Sequence, residues 1–298
     1  MVQVRHILCP VDFSEFSRRA LSHAIVLARW YGSEVVALHV LVPSIPPLES
    51  FPPYLPSMVP EGVDRKALEA RLDEFLAPAR EADVPTRTLI VEGSPVDQIL
   101  KAAKTADLLV LGTHGLGGFE RLVLGSVTEK ILRKATCPVL TIPPKPENQV
   151  AESPLFKTVV CAVDFSDPSL AAVAHAVSLA RGAEAHLTLV HVIESLPDHD
   201  PPQQAHFNVP EYRRYLEADA RGRLEGLLPA ETVKELGPEF VVASGKAYRQ
   251  ILRVAEEHKA GVIVTGVRGR GSMDLALFGS TANHLVRLAS CPVLTVHG

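Results

Sequence analysis

The 298-residue sequence predicts an α/β protein built from two tandem doubly wound domains, each a five-stranded parallel sheet with helices on both faces. Two observations carry that expectation. Short apolar runs alternate with stretches of helical spacing, five against four in the first half, which demands a covered parallel sheet reached by right-handed crossovers. The whole pattern is then written a second time. Val11-Asp12-Phe13-Ser14 returns as Val163-Asp164-Phe165-Ser166, at an offset of 152. The same offset relates His23 to His175, His39-Val40 to His191-Val192, Gly93 to Gly245 and Gln98-Ile99-Leu100 to Gln250-Ile251-Leu252. After two extra residues near Lys259 the offset becomes 154, and Cys137-Pro138-Val139-Leu140-Thr141 matches Cys291-Pro292-Val293-Leu294-Thr295. This is duplication of a domain rather than a short solenoid repeat.

The elements follow in chain order. The apolar run His6 to Val11 predicts a buried first strand, and Ser17 to Trp30 has the spacing of a helix laid over it. Strand two, Glu34 to Val40, precedes the helical pattern Asp64 to Glu81; strand three, Thr86 to Val91, precedes Val96 to Lys104. Strand four, Asp107 to Leu111, leads through a glycine-bearing loop into a helix over Ser126 to Ala135, and Pro138 to Ile142 closes the unit. The second unit repeats the strands at Thr158 to Val163, Ala185 to Val192, Phe240 to Ala243, Gly261 to Thr265 and Pro292 to Val296, with a helix over Ser280 to Ala289. Pro143, Pro144 and Pro146 open a polar connector. The expected boundaries are therefore domain one at 1–144, linker at 145–154 and domain two at 155–298. Strand two of each unit is followed by a proline-rich stretch, Val42 to Pro60 and Glu194 to Pro210, which reads either as a lid or as a partner-contact surface.

Composition limits the function classes. Hydrophobic residues make up 47% and charged residues 21%, as in a soluble globular chain. A net charge of -4 without a basic run argues against nucleic acid or an anionic membrane as the main partner. The chain enters its first strand without signal-peptide anatomy, and no apolar stretch reaches spanning length, so a cytoplasmic location is expected. The four cysteines fall into repeat-matched pairs, Cys9 with Cys161 and Cys137 with Cys291, outside any metal-ligand spacing, and read as small buried hydrophobes.

The stretch with most chemical content is Gly112 to Ser126, GTHGLGGFERLVLGS, which returns as Gly266 to Ser280, GVRGRGSMDLALFGS. Each copy has Gly, two residues, Gly, nine residues, then Gly-Ser. Strand, glycine loop and helix start together aim backbone N–H groups and the positive end of a helix dipole at one place, which suits a phosphate chain. The bland alternative is a turn in which Ser126 and Ser280 serve as N-caps, Ser126 with Glu129 as a capping box. Neither copy is a Walker A loop, since no Gly-Lys-Ser/Thr follows, and neither carries a Rossmann fingerprint.

In these glycine loops, the Val-Asp-Phe-Ser segment, the His-Val closing strand two and the Pro-Val-Leu-Thr terminal strand, the sequence resembles the universal stress protein family in its tandem, ATP-binding form, over essentially its whole length. The resemblance implies a sheet order of 3-2-1-4-5 in each domain and an adenine nucleotide, ATP, held outside the strand ends where the order reverses. By position it implies that Pro10, Asp12 and Val40 meet the adenine and ribose, and that Gly112, His114, Gly115, Gly125, Ser126 and Val127 hold the phosphates. The second-half counterparts are Ala162, Asp164 and Val192, then Gly266, Arg268, Gly269, Gly279, Ser280 and Thr281. It also implies that the terminal strands make the dimer contact, so that the halves can pair as an intramolecular pseudo-dimer, with a homo-oligomer as an alternative.

Asp12 and Asp164, just before a helix, read either as an Asx turn or N-cap or as the ribose partner; near phosphates a carboxylate calls for a Mg²⁺ between them. Arg268 and Arg270 replace a neutral His114 and suggest that the second half binds more tightly. His39, His191, His23 and His175 read as satisfied core histidines. No residue must be a base for hydrolysis, so a nucleotide-responsive stress or signalling module with at most slow ATP turnover is expected. The alternatives are a nucleotide hydrolase or transferase on the same loops, and an interaction scaffold with vestigial sites.

Overall fold

The structure, a computed structural model, describes residues 2–42, 64–115, 124–144, 156–194, 209–269 and 278–297. The first half runs β1 (His6–Pro10), α1 (Glu15–Tyr31), β2 (Glu34–Leu41), α2 (Arg65–Phe75), α3 (Ala77–Glu81), β3 (Thr86–Glu92), α4 (Pro95–Ala103), β4 (Leu108–Gly112), α5 (Ser126–Lys134) and β5 (Val139–Ile142). The second half repeats it as β6 (Thr158–Ala162), α6 (Asp167–Ala183), β7 (His186–Ile193), α7 (Val209–Glu225), α8 (Ala230–Leu236), β8 (Glu239–Ser244), α9 (Ala247–Glu257), β9 (Val262–Gly266), α10 (Ser280–Leu288) and β10 (Val293–Val296).

The strand order is β3-β2-β1-β4-β5-β10-β9-β6-β7-β8, so each half reads 3-2-1-4-5 as the resemblance implied, and the halves share one sheet. Alternation along the strands sorts side chains to two faces. Ile7, Cys9, Val35 and Ala37 point to a core layer with Leu21, Leu72 and Phe75, while Leu8, Val36 and Leu38 point to a layer with Ile99, Ile131 and Leu132. Both layers run through both halves, which places α1 and α6 on one face of the sheet and α4, α5, α9 and α10 on the other.

The halves meet along β5 and β10, antiparallel, with Leu140 opposite Leu294. Thr141 Oγ1 donates to the Val293 carbonyl at 3.1 Å and Thr295 Oγ1 to that of Val139 at 3.2 Å. Each half thus covers the apolar edge strand of the other, which would otherwise present unpaired N–H and C=O groups. Beneath the seam α1 touches α6, with Tyr31 Oη donating to Ser178 Oγ at 3.2 Å.

Three local expectations change. The single helix over Asp64 to Glu81 is two, because Pro78 has no N–H for a continuous ladder; it sits in the first turn of α3, where none is needed. Asp64 caps α2 through Lys66 and Ala67 N–H. Helix α1 begins at Glu15, with Ser14 as N-cap accepting from Ser17 N–H at 3.2 Å. The proline-rich stretches fall largely outside the described residues, as does most of the connector, although Pro210 already belongs to α7. All four cysteines are free thiols, and burial pushes Cys9 and Cys161 up to about 12.

Candidate functional site

The strand order reverses between β1 and β4, where the crossovers leave to opposite faces and a crevice opens at the carboxyl ends. In the first half the β1–β4 ladder is paired only at Ile7–Leu108 and Leu8–Leu109, whereas β6–β9 continues to Ala162–Thr265. The reason is Pro10. Val11 N–H donates across to Leu38 O on β2, so the preceding amide position faces β4, and proline has no N–H to place there.

That split leads into a cavity of about 1000 Å³. Pro10, Asp12, Val40, Gly112, His114, Gly115, Gly125, Ser126 and Val127, the nine first-half candidates, all line it. Its apolar end is closed by Leu38, Val40, Leu111, Pro95 and Ile99, its polar end by the glycine loop and the start of α5. Pro95 and Ile99 on α4 were not among the expected site residues. The available signal was Gly93, at φ 133°, just ahead of a proline-started helix: a turn that drops α4 onto the strand ends.

Asp12 forms the Asx turn. Its Oδ1 accepts from Ser14 N–H at 3.0 Å and from Ser14 Oγ at 2.5 Å, an Asx turn feeding the capped helix. Asp164 does the same with Ser166, at 3.0 and 2.5 Å. Between them and the helix stand Phe13 and Phe165, each at φ 62°, left-handed positions that cost an aromatic residue about 1–3 kcal/mol. Packing holds the turn: the Phe13 ring lies 4.9 Å from His39, 5.7 Å from Phe75 and 4.0 Å beneath the Arg71 guanidinium. Phe165 is clasped alike by His191 and Arg223. His39 Nδ1 donates to Val11 O at 2.7 Å, and His191 to Val163 O at the same distance, so both histidines brace the strand-one exit.

The glycines divide into two kinds. A Cβ on Gly112 would stand 2.8 Å from Phe16 Cβ, and one on Gly266 2.8 Å from the backbone of Pro168 and Ser169; these two let α1 and α6 sit on the strands. Gly115 and Gly269 approach the site itself, with Cβ positions 2.9 Å from Asp12 Oδ2 and 2.6 Å from Asp164 Oδ2. Loop and carboxylate therefore approach each other closely in each half, with no room for a Cβ between them.

Gly125 and Gly279 close the loops, donating to Thr113 O and Val267 O at 2.9 Å. They, not the serines, occupy the N-cap positions of α5 and α10, and neither helix has a side-chain cap. The alternative reading of Ser126 and Glu129 as a capping box does not hold: Ser126 is the first helical residue, and Glu129 pairs with Arg133 at 2.9 Å. A first helical turn has no intrahelical acceptor for its amides. In α5 those amides belong to Ser126, Val127 and Thr128, all three on the cavity wall. Ser280 and Thr281 hold the same places in α10.

In the second half Ala162 ends β6, Val192 lies on β7, Gly266 ends β9, and Gly269 faces Asp164. Arg268 follows Gly266 and Val267 at the start of the second glycine loop. Its Nε is buried, and its charge, after burial, helps hold His297 below the usual histidine range, so the side chain extends towards the end of β10. Arg270 lies outside the described residues. His114 Nδ1 is 2.9 Å from Thr113 Oγ1, with its ring 5.5 Å from Phe16.

A family model described as the universal stress protein family matches the chain twice, over residues 3–143 and 155–297. A universal stress protein of Methanocaldococcus jannaschii is 36% identical over 141 residues, which is 46% of this chain and 81% of that protein. One of Mycolicibacterium smegmatis is 35% identical over 141 residues, 47% of this chain and 46% of its own length. One of Thermus aquaticus is 33% identical over 143 residues, 46% of this chain and 96% of its own. Among solved structures, a universal stress protein from Archaeoglobus fulgidus matches the fold over 99% of both chains, with a TM-score of 0.69 at 24% identity.

Proposed function

The chain belongs to the universal stress protein family, in tandem form, and from that premise and the geometry of its first-half cavity we propose that it binds ATP, with Mg²⁺, as a nucleotide-responsive module. One observation carries the reading: nine residues widely separated in sequence line a single cavity at the sheet's reversal point, apolar at one end and walled by uncapped helix amides at the other. A purine needs a flat apolar slot with a few polar contacts, and its phosphates need N–H donors and a helix N-terminus. Pro10, Val40, Pro95 and Ile99 would take the base, Asp12 the ribose, and Gly115, Ser126, Val127 and Thr128 the phosphates. In the second half Ala162, Val192, Asp164, Gly269, Ser280 and Thr281 would play the same parts. The domain boundaries fall in the connector, at 144 and 155, and the module works in the cytoplasm.

Turnover is at most slow in this reading. Asp12 is tied to Ser14 and Glu129 to Arg133, so neither carboxylate is poised to take a proton from an attacking water. The test is to purify the protein natively, release and identify its small molecules, and follow its melting with and without Mg-ATP. An adenine nucleotide in the extract and a rise in the midpoint on adding Mg-ATP are expected. An empty extract together with an unmoved midpoint would leave an interaction scaffold as the better account.

A further inference from the structure

The first cleft is bordered by a residue of the other half. Helix α10 begins at Ser280, and its last turn stands beside Thr113, His114 and Leu124 of the first half. There Arg287 lines a small cavity of about 180 Å³ together with His114 and Leu124, both of which also line the first cleft. Its Nη2 lies 3.9 Å from Oε2 of Glu129, another lining residue of that cleft, and its Nε donates to Asn283 Oδ1 at 2.9 Å.

Glu129 needs explaining in a cleft that takes a polyanion. A carboxylate one turn into α5 repels a phosphate chain seated on the amides of that helix. Two guanidinium groups offset it, Arg133 from its own helix and Arg287 from across the seam. The repeat shows that this is not a symmetric device. Asn283 stands where Glu129 stands, and Arg133 where Arg287 stands, so the reciprocal contact towards the second cleft has no carboxylate.

We propose that Arg287 completes the first cleft: it neutralises Glu129 and gives its guanidinium to the far end of the phosphate chain, so that the first cleft selects nucleotides with a longer chain. This rests on the reading of the cleft as a nucleotide site. Arginine suits the role because its planar fork binds phosphate oxygens in pairs and stays charged. The Asn283 contact aims the fork without using its two terminal nitrogens.

The test uses the full chain carrying Gly269→Val, which fills the second cleft, so that calorimetry with Mg-ATP, Mg-ADP and AMP reads the first. In that background Arg287→Gln is expected to weaken ATP about tenfold while AMP changes less than about twofold. Arg287→Lys should fall between, and Glu129→Gln should strengthen ATP a few-fold. A melting curve on each variant separates loss of the seam from loss of the contact. In the complementary Gly115→Val background, which reads the second cleft, Arg287→Gln should leave the ATP-to-AMP ratio unchanged. An unaltered ATP-to-AMP ratio in the first cleft overturns this inference alone, as does an equal loss for all three ligands. Absence of any nucleotide binding by the unsubstituted chain overturns the nucleotide reading and this inference with it.

Discussion

Substituting Gly115 by Ala puts the ligand-binding reading at risk, because the structure separates its effect from a folding defect. The new Cβ would lie 2.9 Å from Asp12 Oδ2, while ordinary contacts begin at 3.4 Å. Asp12 cannot simply swing away, since Ser14 N–H and Oγ hold its other oxygen at 3.0 and 2.5 Å, and Ser14 caps α1. The loop must therefore retreat by roughly half an ångström, at a typical overpacking cost of about 1–3 kcal/mol. Retreat shifts the loop and its backbone amides away from the place where a ribose and first phosphate would meet them. The dissociation constant for ATP should rise between about tenfold and a hundredfold in that half. Gly112→Ala is the control. Its Cβ meets Phe16 Cβ at 2.8 Å and the Phe16 backbone at 3.3 Å, so the strain separates α1 from β4 and appears as lost stability. Calorimetric titration of the first cleft, paired with thermal melts of both variants, decides the matter. Should Gly115→Ala bind ATP like the parent, or melt as low as Gly112→Ala with no specific loss of affinity, the loop would be a chain-turning device and the reasoning would fail.

Three other expectations are open to measurement. Against the expectation drawn from Arg268 and Arg270, the first cleft should bind ATP more tightly than the second, because Pro10 and Pro95 stiffen its apolar end where Ala162 and Ala247 stand in the other; single-cleft variants showing equal or reversed constants would contradict this. Burial pulls His23 and His175 below the usual histidine range, the Arg19 carbonyl only partly opposing it at His23, so the folded state binds fewer protons than the unfolded one. Their contribution to stability is complete above the unfolded pKa of about 6.5 and is lost as pH falls through the folded values. Melts between pH 7.5 and 5.5 should show a decline that His23→Gln and His175→Gln together flatten, with a pH-independent midpoint as the contrary result. Replacing Thr141 and Thr295 together by Val keeps the β5–β10 ladder but removes two cross-seam hydrogen bonds, which should cost about 1 kcal/mol each in denaturant unfolding; no loss would mean that the ladder alone holds the halves.

Much of the fold was legible because buried parallel strands are short continuous apolar runs, and the duplication supplied each run twice. Boundaries near the site were less so. Ser17 looked like a helix start, yet Ser14 takes that place, since the choice of cap depends on the left-handed Phe13 that turns the chain first. Ser126 followed by Glu129 has the letters of a capping box, but Gly125 is drawn back to Thr113 O and becomes the cap, which no local pattern reveals. The candidate residues on β1, β2 and the glycine loop do converge on one cavity, as motif positions at strand ends should. Pro95, Ile99 and Arg287 escaped notice for a different reason. Pro95 and Ile99 reach the cleft through the placement of α4 over the sheet, and Arg287 comes beside Glu129 across the seam, which are properties of packing rather than of spacing.

The seam between β5 and β10 has a consequence for how this molecule can change over time. In a dimer of identical chains, every substitution is made twice, and a carboxylate useful beside one pocket is forced upon the other. Here two copies share a backbone, and Glu129 meets Arg287 while the position that matches Glu129 in the second half is Asn283. Fusion keeps the partners together at any dilution and lets each side drift towards its own ligand.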